Sequence, residues 1–113
     1  MEFNQPVPEL PVADVEQAQE YYRDHFACKI EWIDPSKEIG AVSNDSTAIF
    51  FRKKESSFEP AVNWVYCSDV DKTYKELLSQ KAIITESIDD KPWGIRQFTV
   101  HDLYGNIFYF FHG

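Results

Sequence analysis

Four glycines and two cysteines in 113 residues remove several structural classes at once. So little glycine, in a chain whose apolar residues are spread throughout, is incompatible with a low-complexity or disordered segment. Cys28 and Cys67 form no CxxC pair and fit no zinc spacing, so both are expected as reduced thiols, buried on or near strands. No stretch approaches the roughly 18 consecutive apolar residues that a membrane span requires. Basic residues are scarce: 11 lysines and arginines stand against 19 acids, for a net charge of −8. Nucleic acid is therefore not an expected partner, because phosphate binding needs a basic footprint. The opening residues, Met1 to Pro6, lack the basic and apolar run of a secretion signal, and a cytoplasmic location is the expectation.

What is abundant is aromatic. Aromatic residues make up 16% of the chain and include Trp32, Trp64 and Trp93. Most must serve the core of a single domain of this length, yet three tryptophans leave some free to line a concave site. The acidity has two readings. It would steer a cationic ligand toward the surface, or it serves solubility alone.

The two halves of the chain echo each other. Val12-Ala13-Asp14-Val15-Glu16 returns as Cys67-Ser68-Asp69-Val70-Asp71, 55 residues later. Such repeats decide architecture, provided the surrounding pattern agrees. In the first half, Pro6 to Val12 reads as a strand. Asp14 reads as a helix N-cap, with Gln17 placed to complete a capping box. Val15, Ala18, Tyr22 and Phe26 then follow at helical spacing. Cys28 to Ile33, Ile39 to Val42 and Thr47 to Arg52 read as strands, with turns at Pro35 and Ser43-Asn44-Asp45-Ser46.

The second half repeats that order. Asn63 to Cys67 alternates as a strand does. Ser68 or Asp69 caps a helix that carries Val70, Tyr74, Leu77 and Leu78 on one face. Ala82 to Thr85, Arg96 to Val100 and Ile107 to Phe111 read as strands, with turns at Asp89-Asp90 and Tyr104-Gly105-Asn106. The expected fold is α+β, one domain over residues 1–113 built from two β-α-β-β-β modules. Module one spans about 5–53, a polar linker about 53–60, and module two about 61–113. A four-stranded sheet with one helix covers only one of its faces, so the other must meet the second half, a second chain or a ligand.

Three segments carry a family likeness. Pro8-Glu9-Leu10-Pro11-Val12-Ala13-Asp14-Val15, followed by Tyr21-Tyr22-Arg23-Asp24, resembles the opening of the glyoxalase, bleomycin-resistance and extradiol-dioxygenase (vicinal oxygen chelate) superfamily. Trp64-Val65-Tyr66-Cys67-Ser68-Asp69-Val70-Asp71 resembles its middle strand and second helix start. Lys91-Pro92-Trp93-Gly94-Ile95-Arg96-Gln97-Phe98 and His101-Asp102-Leu103-Tyr104-Gly105-Asn106 resemble its closing signature. The Pro-Trp-Gly element before Arg96-Gln97-Phe98 is the most specific piece and is similar to the antibiotic-binding branch. The likeness implies modules curved into a mixed-sheet cleft. It also implies a homodimer with an exchanged N-terminal strand, in which Pro8 takes the place of a hinge proline.

Enzymes of that superfamily hold a divalent ion on inward strands. Carried over by position, the ligands fall on Val7, Val62 and Tyr109, with a fourth candidate near Phe50. Valine and phenylalanine donate nothing to a metal and neutral tyrosine is a poor ligand, so no metal or other cofactor is expected. His25, His101 and His112 fit no standard ligand motif. His101-Asp102 is a poor catalytic pair, because neighbouring strand residues point to opposite faces. No catalytic residue is assigned.

For ligand contacts the resemblance implies Glu31, Trp32, Trp64, Trp93 and Gly94. Planar heteroaromatics stack on indole, cations sit over its face, a carboxylate takes an amine, and a glycine lets the backbone come close. Each has a plainer reading. Trp64 suits a core or dimer contact, Glu31 a solvated strand position, and Arg96 a pairing with neighbouring acids as readily as with a ligand carboxylate. Glu31 and Trp32 are adjacent on a strand, so both reach one ligand only if the strand is irregular or two chains contribute. The leading expectation is a metal-free protein that binds a cationic aromatic antibiotic of the bleomycin type as a homodimer. A lyase, isomerase or dioxygenase-like enzyme with a non-standard site stays open, as does a binding module for an endogenous metabolite.

Overall fold

The computed structural model describes all 113 residues. In chain order the elements are β1 (Glu9–Val12), α1 (Val15–His25), β2 (Lys29–Ile33), β3 (Ile39–Asn44), β4 (Thr47–Lys53), β5 (Val62–Tyr66), α2 (Val70–Ser79), β6 (Ile83–Asp90), β7 (Arg96–His101) and β8 (Ile107–His112). They form two four-stranded sheets with strand orders β1-β4-β3-β2 and β5-β8-β7-β6. In each sheet the first strand runs parallel to the last, and the other pairs are antiparallel. The first and last strands of a module are joined through a helix and a hairpin, which makes the parallel pairing geometrically possible. The α+β class and the doubled β-α-β-β-β order are therefore as expected.

Both helices begin as the repeat implies. Asp14 accepts a hydrogen bond from the Gln17 backbone N–H at 3.0 Å, and Asp69 accepts one from Lys72 N–H at 3.1 Å. Each satisfies a backbone donor that has no partner within the first turn. The capping box at Asp14 is not closed, however. The Gln17 side chain turns instead to the Tyr104 hydroxyl at 2.5 Å, tying module one to module two. Three further expectations need correction. The first strand starts at Glu9 rather than Pro6, and residues 1–8 lie outside the sheet. Asp89 and Asp90 belong to β6, which runs on through two register shifts, and the turn falls at residues 91–95. Leu77 is buried on the inner face of α2, whereas Leu78 next to it is exposed.

A single apolar cluster joins the modules. It draws Leu10, Val42 and Phe51 from the first sheet, and Phe98, Val100 and Phe108 from the second. Tyr22 of α1 lies at its centre, with ring centroids 4.7 Å from Phe51 and 6.1 Å from Phe108. Its hydroxyl donates to the buried Asp102 carboxylate at 2.6 Å. Asp102 also accepts from the backbone N–H groups of Tyr104 and Asn106 and from Asn106 Nδ2, at 2.7 to 2.9 Å. A buried carboxylate is tolerated only when its lone pairs are filled in this way. Burial first, and then the Asp102 charge, raise the Tyr22 pKa well above its ordinary value, so the phenol stays a donor.

Tyr22→Phe keeps the ring but removes one donor from a buried charge. Unfolding in denaturant is expected to show a loss of about 1.5–3 kcal/mol with little change in m. A variant as stable as the parent would show that the inter-module hydrogen bond contributes nothing net.

Candidate ligand-binding faces

The shared core uses the helix-bearing face of each sheet, and strand alternation turns the other face outward. On the first sheet that open face carries the row Trp32, Ala41 and Phe50, set side by side by the strand register. Ala41 is small enough for the two rings to meet above it at 5.1 Å, edge to face. On the second sheet the open face carries Val62, Trp64 and Tyr66 of β5, and Tyr109 and Phe111 of β8. Trp64 lies 4.4 Å from Tyr109 and 5.7 Å from Phe111. Trp32, Trp64 and Trp93 remain 44%, 53% and 62% exposed, an unusual state for three indoles on one small domain.

Glu31 and Trp32 do reach the same face. The register of β2 against β3 shifts between Ile30 and Trp32, and Glu31 occupies the bulge. Its carboxylate accepts from the Ser43 hydroxyl at 2.5 Å, and Ser43 shares a face of β3 with Ala41 beneath Trp32. Bulges of this kind re-aim side chains. The strand is held from behind by Gln19 of α1, a buried residue that sequence reading passed over. Its Nε2 donates to Trp32 O at 2.8 Å and to Ala41 O at 3.2 Å. Gly40 permits that approach, because a Cβ there would sit 2.7 Å from Val15 Cγ1.

Trp93 lies on the turn between β6 and β7. Hydrogen bonds from Gly94 N to Lys91 O (3.0 Å) and from Lys91 N to Ile95 O (2.8 Å) close this turn. Gly94 has φ +92°, and a Cβ there would meet nothing within 4 Å, so glycine answers a conformational demand at this position. The turn folds back over the open face. The Trp93 indole N–H donates to Gln97 Oε1 at 3.1 Å, and Lys91 Nζ lies 3.1 Å from Glu86 Oε1. Gln97 and Thr99 point outward from β7 yet are only 2% and 7% exposed, because these side chains lie over them. Glu86, Lys91, Gln97 and Thr99 were not singled out from sequence. Of these, Glu86 alone carried a signal, standing 55 residues after Glu31, the same offset as the repeat.

Not all expected residues meet. Trp64 and Trp93 belong to the second sheet's open face, Glu31 and Trp32 to the first's, and both faces turn away from the common core. A cavity of about 400 Å3 lies elsewhere, in a groove between the β3–β4 hairpin and α2. It is lined by Cys28, Ile49, Cys67, Leu77 and Phe108 among others, and by none of the five residues. Arg96 pairs with Asp71 at 3.0 Å and Asp90 at 3.2 Å, the neighbouring-acid alternative, and holds the Asp71 carboxyl below its usual range.

At the positions expected to match metal ligands, Val7 and Val62 are exposed apolar side chains and Tyr109 packs against Trp64; the histidines lie apart. His25 Nδ1 is 2.7 Å from Gln80 O, while His112 Nδ1 accepts from Val70 N–H at 3.4 Å. The structure contains no cluster of three or more His, Cys, Asp or Glu side chains able to hold an ion.

The model of the Glyoxalase/Bleomycin resistance protein/Dioxygenase superfamily matches residues 4–110. The chain belongs to that superfamily. Among solved structures, it is similar to the bleomycin-binding protein of bleomycin-producing Streptomyces verticillus, complexed with copper(II)-bleomycin. The TM-score is 0.85 and the identity 20%, over 100% of this chain and 98% of that one. TioX from Micromonospora sp. ML1 has a TM-score of 0.82 and 22% identity, covering 97% and 98% of the two chains. Lactoylglutathione lyase from Agrobacterium tumefaciens has a TM-score of 0.77 and 16% identity, covering 97% and 93%. At these identities the shared property is the fold, and it hosts both binders and an enzyme. No curated protein sequence matches.

The two thiols give a check on the groove. Both are free, and burial pushes Cys28 up to about 12 and raises Cys67 as well. Only the thiolate reacts, so Cys28 is expected to resist a disulfide reagent at pH 8 until the chain is unfolded. The native protein should therefore titrate at most one thiol per chain, and the denatured protein two. Rapid native reaction of both would contradict the packing described for Cys28.

Proposed function

We propose that this member of the superfamily is a small-molecule-binding protein that sequesters a flat, cationic aromatic compound of the bleomycin type and uses no metal of its own. The observation that carries the reading is the pair of outward sheet faces, each with an exposed indole and a carboxylate and neither packed into the common core. One face can stack a ring but cannot enclose it. Two copies related by a two-fold axis would set the Trp32 and Glu31 face of one against the Trp64 and Trp93 face of the other, making two equivalent clefts per dimer. Stacking on indole supplies affinity without chemistry, and Val7, Val62 and Tyr109 offer no coordination for a Lewis acid. That a neighbour of the same fold holds copper(II)-bleomycin supports the choice of ligand class. The acidic surface would draw a cation in, and the protein would act in the cytoplasm.

Residues 1–8 supply the arm of such a dimer. They lie outside the sheet, Phe3 is almost fully exposed, and Pro8 stands where the chain enters β1. Pro8 fixes the direction of departure, so the arm would lie extended on the second copy.

Calorimetric titration with bleomycin, phleomycin and an unrelated cationic dye is the test, paired with light scattering. Two glycopeptides per dimer are expected, bound well below about 100 μM. Trp93→Ala is expected to weaken binding about two- to tenfold, the equivalent of one indole at about 0.5–1.5 kcal/mol. Glu31→Gln should cost less, and its effect should fade with added salt. A monomer at micromolar concentration overturns the shared cleft. Equal affinity for dye and glycopeptides moves the reading to another ligand, such as an endogenous metabolite. One chelatable metal ion per chain, with an activity lost on its removal, moves it to an enzyme.

A further inference from the structure

Both modules place a carboxylate beside a register shift in an edge strand, and the second module alone gives it a cation. Glu31 and Glu86 are separated by the repeat offset of 55 residues. Each sits on the edge strand of its sheet beside a register shift, between Ile30 and Trp32 in β2 and between Ile84 and Glu86 in β6. Without the second shift, Glu86 would share the core-facing side of Ile84, which pairs with the buried Val100. Each carboxylate also accepts from a hydroxyl on the neighbouring strand, Ser43 at 2.5 Å and Thr99 at 3.4 Å. Glu31 has no ion-pair partner. Glu86 has Lys91, whose side chain is only 12% exposed and whose single ion-pair contact is Glu86 Oε1 at 3.1 Å.

This pair stands at the end of an aromatic row. Strand register sets Trp64 beside Tyr109, Tyr109 beside Thr99, and Thr99 beside Glu86. Strands lie about 4.8 Å apart, so Glu86 is about 10 Å from Tyr109 along the row and about 14 Å from Trp64. A ring stacked on Trp64 and Tyr109 therefore reaches the pair through a short linker. An ammonium with three donors, only one of them in an ion pair, has hydrogens left for an acceptor, and the carboxylate beside it has lone pairs left for a donor. A ligand group that accepts and donates from adjacent atoms matches this arrangement, whereas a lone cation meets Lys91 and a lone anion meets Glu86.

We propose that Glu86 and Lys91 form a donor–acceptor reader for a primary carboxamide, leaving the unpaired Glu31 to take a positive group. This inference rests on the ligand-binding reading of the aromatic faces and narrows it to flat ligands that carry a carboxamide. Three probes sharing one ring test it by calorimetry: 3-(2-naphthyl)propanamide, the corresponding carboxylate and the corresponding amine. The amide is expected to bind about tenfold more tightly than either charged probe, a difference typical of hydrogen bonds to charged groups. Lys91→Met keeps the apolar stem but frees Glu86, so the order should invert, with the amide about tenfold weaker and the amine tighter than in the parent. Glu86→Gln should shift the preference toward the carboxylate. A purely structural role for the pair predicts instead that both variants weaken all three probes alike, and that result overturns the proposal. If the three tails bind equally while Trp64→Ala still weakens them, the carboxamide reader fails and the aromatic platform stands. If no probe binds below about 1 mM, both fail together.

Discussion

Tyr22 stands where the two modules meet, and the molecule's shape follows from how its two ends are satisfied. The ring needs an apolar environment and finds it between Phe51 of one sheet and Phe108 of the other. The hydroxyl needs an acceptor and finds Asp102, which is held by the backbone of the turn that follows β7. Both demands are met only when the helix-bearing faces of the sheets pack toward each other. The opposite faces are thereby turned to solvent together with whatever rings they carry. The exposed tryptophans are a consequence of that packing and not a failure of it.

What sets the chemistry of those faces is irregularity in the edge strands. A regular strand would split Glu31 from Trp32 and would bury Glu86, because its side chains alternate strictly. A register shift in β2 and another beside Glu86 in β6 cancel the alternation and turn each carboxylate to the outward face. The two shifts occur in equivalent strands, so this property follows the repeat. The modules then diverge. Lys91 and Trp93, on the turn that folds over β7, have no counterpart on the first sheet's open face, where Trp32 meets Phe50 above Ala41 and Ser43 donates to Glu31. A pseudo-symmetric frame thus presents two chemically different walls.

The doubled architecture was legible because its signals are local. Asp14 and Asp69 cap the helices whose starts they mark, and Val15, Ala18 and Tyr22 recur at the helical period that buries them. The strand was over-extended to Pro6 because prolines hold the backbone extended and Val7 suits a strand, while pairing with β4 begins at Glu9. The turn at Asp89-Asp90 was misplaced for the converse reason. Acids favour turns, but these two have partners across β7 that hold them in the sheet. Leu78 has the hydrophobicity of a core residue, yet one residue's rotation around α2 turns it out of the core that Leu77 enters.

The sequence by itself determined the class of the fold, its repeat and the family. All of these depend on residue identity and short-range spacing. Only the tertiary structure decided which residues share a face. That question turns on register, and one extra residue in an edge strand moves a side chain from one side of a sheet to the other. The tertiary structure alone placed Glu31 beside Trp32, brought Glu86 and Lys91 together over Thr99, and set the faces of the two modules apart. Long-range pairings of this kind arise when distant strands are matched, and no local pattern in the chain records the outcome.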